Sequence, residues 1–266
     1  MCLMFRIPTL KTIYDKRWVI LAWSLGAFAM NLLITWIFPD FKNPQLVEVF
    51  KNLPESLQAF SGSLDIGTID KYLDSQVFFN NGSFIFWILG ISMGVNLLAT
   101  DEDKGTLETT LSTKISRNRL YIEKFLAMLL IFLIVNIAGT LAIWVGIQII
   151  NESLSVLRLV QATLMLFVFT SLLGAFSFSV GALSGRKNLA IGIPTLTLVI
   201  MFLVYTFSQT VDWMKNWDKF TWNYYYANGQ TVLKGISYWD LSVLIISFAV
   251  FFAIGIILFN KRDLRK

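Results

Sequence analysis

Hydrophobic and polar positions alternate along this chain in blocks rather than residue by residue. Largely apolar runs occupy residues 18–38, 83–100, 125–150, 159–183, 189–207 and 241–259. Each comes close to the twenty residues or so that a helix needs to cross ~30 Å of hydrocarbon. Backbone polar groups inside a bilayer must be satisfied within their own segment, so runs of this length predict helices. The expectation is an all-α integral membrane protein with six transmembrane helices. Residues 1–266 are expected to form a single transmembrane domain, with long outer segments at 39–82 and 210–239. In the first of these, Leu46, Val49, Phe50, Leu53, Leu57 and Phe60 trace a helical stripe broken by Pro54, which reads as amphipathic surface helix.

Composition agrees and removes several classes. The 266 residues are 56% hydrophobic with a mean hydropathy of +0.64, too apolar for a domain that faces water. There is no histidine and one cysteine, Cys2. That excludes an HExxH zinc site, a Ser-His-Asp triad and a disulfide framework within the chain. No GxxxxGK[ST] phosphate loop occurs, so ATP is not held in that way. No cleavable signal peptide is expected, because the first apolar run follows a basic stretch and is long enough to span.

Charge then gives the orientation. Segments 1–17, 101–124, 184–188 and 260–266 carry fifteen Lys and Arg, whereas the opposing segments carry seven. Basic residues favour the cytoplasmic side, so both termini and residues 101–124 are expected inside, in a plasma membrane and, by expectation, a bacterial one. Residues 1–17, with Arg6, Lys11, Lys16 and Arg17, read as an N-terminal amphipathic helix on the cytoplasmic surface. The net charge of +5 is spread too asymmetrically across the membrane to suggest nucleic acid.

No Asp, Glu, Lys or Arg falls inside the six predicted runs. Ion-coupled transporters keep such groups at membrane depth because their mechanism uses them. The runs carry Phe, Leu, Ile and Met instead, so a path lined by them suits hydrophobic or amphipathic cargo. Asn31, Asn96, Asn136, Gln148 and Gln161 read as groups that bind helix to helix. On the outer side, 210–239 gathers Trp213, Trp217, Trp222, Trp239, Tyr224, Tyr225, Tyr226 and Tyr238. Such rings concentrate at headgroup depth. The segment is therefore expected to be re-entrant, with Trp213, Trp217, Trp222 and Tyr224–Tyr226 forming either an outer gate or an anchoring aromatic belt.

Residues 101–124 stand apart, with five acids against five bases. A loop obeying the positive-inside rule needs only the bases. Asp101–Glu108 reads as the start of a short helix, its acids at the positive end of the helix dipole. Leu107 and Leu111 then share a face for a partner's groove. Gly105 leaves room for close approach, Ser116 caps the next helix, and Arg117, Arg119 and Lys124 sit at the membrane edge.

The string Asp101-Glu102-Asp103-Lys104-Gly105-Thr106-Leu107-Glu108, then Leu111-Ser112, Ile115-Ser116-Arg117 and Lys124, resembles the signature of type-2 ATP-binding-cassette (ABC) exporter permeases. The closing Phe259-Asn260-Lys261-Arg262-Asp263-Leu264 is similar to that family's usual ending. Thr110 and Lys114 depart from it, standing where Leu and Pro are common. The resemblance implies a coupling helix between spans 2 and 3, with Asp101, Glu102, Gly105, Thr106, Leu107, Glu108, Leu111 and Arg117 as its ATPase-coupling residues. It implies that this helix docks on a separate cytoplasmic ABC ATPase, present in two copies that bind ATP and Mg. A second permease subunit, identical or not, would complete the path. The chain itself is then a transport subunit and not an enzyme. The cargo would be an antibiotic, a peptide toxin or a lipid-linked molecule. A self-immunity device that extracts a toxin from the bilayer is the alternative; a membrane enzyme or assembly factor is the distant one.

Overall fold

The computed structural model describes residues 7–41, 67–103, 105, 115–208, 210–227 and 230–262. The stripe at 46–60 therefore lies outside the described residues, as do Thr106, Leu107, Glu108 and Leu111. The architecture is all-α: among the described residues there is no strand, and six helical stretches are long and apolar enough to cross a membrane.

Helix α1 (Pro8–Asp15) opens with proline in its first turn, where the missing N–H costs nothing. It leads into α2 (Arg17–Trp36), the first span, and a last turn α3 (Phe38–Phe41). The second stretch is longer than its apolar run. It starts at α4 (Ile69–Tyr72), passes through a π-helical segment at Leu73–Phe79 and continues as α5 (Asn81–Asn96) and α6 (Ala99–Asp103). Residues 69–79, assigned from sequence to an outer segment, are thus helical, with Tyr72, Leu73 and Val77 buried.

The third span, α7 (Arg117–Ile149), has 33 residues, about 50 Å at 1.5 Å each. It begins eight residues before its apolar run because Ser116 caps it, accepting a hydrogen bond from the Arg119 N–H at 3.3 Å. Helices α8 (Val156–Ser184) and α9 (Lys187–Ser208) are joined at Gly185, whose φ of +58° suits glycine. Two 3₁₀ turns (Asp212–Met214 and Asp218–Phe220) and the short helices α10 (Trp222–Ala227) and α11 (Thr231–Lys234) precede the sixth span, α12 (Tyr238–Lys261).

Helix α8 is the hub, packing on α5, α7, α9 and α12, while α2 lies along α7. Small residues set these distances. A Cβ on Gly90 would stand 2.8 Å from the Thr170 carbonyl oxygen, and one on Gly94 2.6 Å from that of Gly174. Backbones this close need glycine, and Gly90-x-x-x-Gly94 is the spacing that provides it on one helix face. Polar side chains add stitches, as expected for Asn31, whose Nδ2 donates to the Gly139 carbonyl at 3.3 Å. Ser177 Oγ lies 3.1 Å from the Ile91 carbonyl oxygen and 2.8 Å from that of Ala190, joining α8 to α5 and α9. Aliphatic side chains such as Leu25, Ile137, Leu196 and Ile246 stay exposed on the outside of the bundle.

Candidate functional site at the charged end of the bundle

One end of the bundle collects α1, α6, the start of α7, the turn between α8 and α9 and the end of α12. The three consecutive acids of α6 organise it. Asp101 pairs with Lys124 on α7, and Lys124 Nζ also donates to the Leu97 carbonyl at 2.7 Å. Glu102 pairs with Arg262, just beyond α12. Asp103 accepts the Lys187 backbone N–H at 3.1 Å, at the first residue of α9. Successive residues on a helix point about 100° apart, which is how three neighbours reach three different helices.

Depth distinguishes these contacts. The Glu102 side chain is 3% exposed and that of Arg262 18%. Arg262 is held from a further side, since Arg117 Nη1 donates to its carbonyl at 2.7 Å. Gly185 lies against the pair: a Cβ there would meet the Arg262 guanidinium and stand 2.6 Å from Glu102 Oε1. Glycine suits 185 for its φ, and any side chain there would push the Arg262–Glu102 pair aside. Beside this cluster Asn260 donates to Asn118. On α1, Thr9 Oγ1 donates to the Glu123 carbonyl at 2.9 Å, tying the N-terminal helix to α7.

Asp101 and Glu102 lie in the first turn of the short α6, and the rest of the helix expected to run from Asp101 to Glu108 falls largely outside the described residues. The three acids sit at the end of the second helical stretch, and Gly105 (φ +70°) closes it, its N–H donating to the Glu102 carbonyl at 2.9 Å. No heavy atom lies within 4 Å of a Cβ built on Gly105, so among the described residues this glycine serves the backbone turn, not close approach. Of the residues singled out from sequence, Asp101, Glu102, Gly105 and Arg117 gather here. Lys124, Gly185, Lys187 and Arg262 join them without having been singled out as a site. Lys124 was placed at a membrane edge from sequence, yet its side chain is only 8% exposed.

A family model described as the C-terminal domain of the multidrug efflux system permease Rv1217c matches residues 13–260. The chain belongs to this family of efflux permeases. The assignment agrees with the resemblance of 101–124 to type-2 ABC exporter permeases, and with the six helices it makes the chain a multi-pass membrane permease. No curated protein matches the sequence closely.

Two further features bear on transport by the permease. Helices α5 and α9 part along their length to leave a groove of about 500 Å³, within the range of small-molecule sites. Phe84, Trp87 and Phe202 line one end, Ile88, Ile191 and Val199 the middle, and Ser92, Asn96 and Lys187 border the rest. At the opposite end of the bundle, the aromatic residues of 210–239 divide. Trp213 and Trp217 are exposed and meet edge to face at 5.8 Å. Trp222 packs on Phe251 of α12, and Tyr224 meets Tyr225. Tyr226 is buried, stacks on Phe169 of α8 at 4.5 Å and donates to the Phe78 carbonyl. Nearby, the Asp74 carboxylate accepts the Val232 and Leu233 N–H groups, both at 2.9 Å, and so caps α11. The proposed gate is thus two populations, an exposed tryptophan pair and a set packed into the bundle.

Proposed function

We propose that the permease is the membrane subunit of an ATP-driven ABC exporter, and that residues 101–116 dock on a separate ATPase. The observation that carries this reading is the stem of that loop, where three adjacent carboxylates each hold a different span. A loop that merely joins two helices has no need of such ties. The fifteen-to-seven distribution of Lys and Arg supports placing this charged end in the cytoplasm, where an ATPase would meet it. The chain has no phosphate loop of its own, so the two ATPase copies would supply ATP and Mg binding. A second permease subunit would face this one across the path.

The groove between α5 and α9 supports a hydrophobic or amphipathic cargo. Its walls are mostly aliphatic and aromatic, and Lys187 stands at its charged end. Tagged permease purified from its own cells tests the reading. A polypeptide with a phosphate loop should come with it, and Leu107→Asp together with Glu108→Ala should release that partner while the permease still reaches the membrane. Undiminished co-purification of the ATPase with this double variant would remove the docking role from the loop.

A further inference from the structure

We propose that Asp101, Glu102 and Asp103 act as a distributor, sending one displacement of the docking loop separately to α7, α12 and α9. Arg262 is the positioning residue on the α12 branch. The inference rests on the loop-docking reading above and adds how the bundle would receive the stroke.

Each branch has its own partner and its own strength. Asp101 grips the Lys124 ammonium, which is anchored again on the Leu97 carbonyl. Asp103 holds, among the described residues, a backbone N–H, that of Lys187. Glu102 has the most enclosed contact, a buried ion pair with Arg262. Helix α12 packs chiefly on α8 and α10, and its end is also tied to α7 through Asn260–Asn118 and Arg117, so Glu102 is its direct link to α6 and α7 an indirect one. Arg262 is immobilised from both sides, by Arg117 on its carbonyl and by Gly185 beneath its guanidinium. A shift of Glu102 therefore moves the end of α12 instead of swinging a loose side chain. A charge pair held this way passes on push as well as pull, unlike a contact that simply separates.

The test reads spans one at a time. In a Cys2→Ser background, a bimane fluorophore is attached at Leu126→Cys on α7 or at Ile257→Cys on α12, both exposed positions. The emission change is followed as the permease–ATPase complex is trapped with ATP and vanadate. Arg262→Ala or Glu102→Gln should cut the α12 response by about fivefold or more while the α7 label still responds. Asp101→Asn should do the reverse. The exchange Glu102→Arg with Arg262→Glu, or the milder Arg262→Lys, should bring back part of the α12 signal. Equal loss at both labels, or no loss at either, in complexes that still hold the ATPase overturns the distributor. If ATP moves neither label in the unsubstituted complex, or no ATPase accompanies it, the docking reading itself fails.

Discussion

Glu102 and Arg262 show how much of this molecule depends on pairs that are distant in sequence. With Arg262→Ala, a carboxylate that is 3% exposed loses its counter-charge, a defect that costs about 3–5 kcal/mol. Thermal unfolding of the permease in detergent should register it as a clear fall in melting temperature. Replacing both partners, Glu102→Met with Arg262→Leu, should recover much of that loss, because no uncompensated charge remains. The contrast is Arg119, whose pair with Glu123 at 2.6 Å lies on a side chain 56% exposed. Arg119→Ala should change stability by no more than about 0.5 kcal/mol. The family resemblance sets Arg117 apart as a coupling residue, but charge and spacing have no means of separating it from Arg119, since Arg117 reaches a residue 145 positions away. Asp101 and Glu102 were legible as unusual, being acids where bases would suffice, but their partners were not.

At the scale of elements, hydropathy located the six spans and was blind to where their helices end. It stops at the first charge, whereas a helix stops where its backbone hydrogen bonds do. Residues 117–124 carry Arg117, Arg119, Glu123 and Lys124 yet form the first turns of α7, because Ser116 caps them and α1 and α6 give their charges partners. Ser116→Ala should cost about 1 kcal/mol and fray that end, visible as faster amide exchange over the first turn. Residues 69–79 are hidden from hydropathy for the same reason, with Asp70, Lys71 and Asp74 masking a helix whose other face holds Tyr72, Leu73 and Val77. The Gly90-x-x-x-Gly94 spacing was in plain view and specifies the α5–α8 contact. Gly94→Leu would drive a side chain into the Gly174 backbone and should destabilise the fold by about 1–3 kcal/mol. Because α5 also lines the groove, transport should fall as well. Gly26, around which no atom lies within 4 Å of a built Cβ, should accept alanine without penalty in the same melting assay.

For the molecule as a whole, the groove between α5 and α9 offers a test independent of the charged end. Thr195→Trp should fill it without touching Asp101, Glu102 or Asp103. The expected result is a permease that keeps the ATPase proposed above and loses efflux of hydrophobic dyes from cells. Retained efflux would place the cargo elsewhere. The absence of charge in the apolar runs suggests a hydrophobic cargo, but the groove is not legible there, because it depends on which faces of two helices fail to meet. The aromatic segment is a similar case. Its composition pointed to one interfacial belt, whereas Tyr226 is buried against Phe169 and Trp213 stays exposed, a division that composition cannot express.

The contiguity of Asp101, Glu102 and Asp103 has a genetic consequence. Their three partners lie at Lys124, Arg262 and Lys187, scattered over the chain, yet the acids share a single helical phase. Inserting or deleting one residue between Leu97 and Asp101 would rotate all three by about 100° together. Every tie would then be misdirected at once, although no partner had been mutated. Substitutions here should therefore be survivable one branch at a time, while a one-codon length change should be lost from a library selected for efflux. The stem of this loop can tolerate drift in composition far more readily than drift in length.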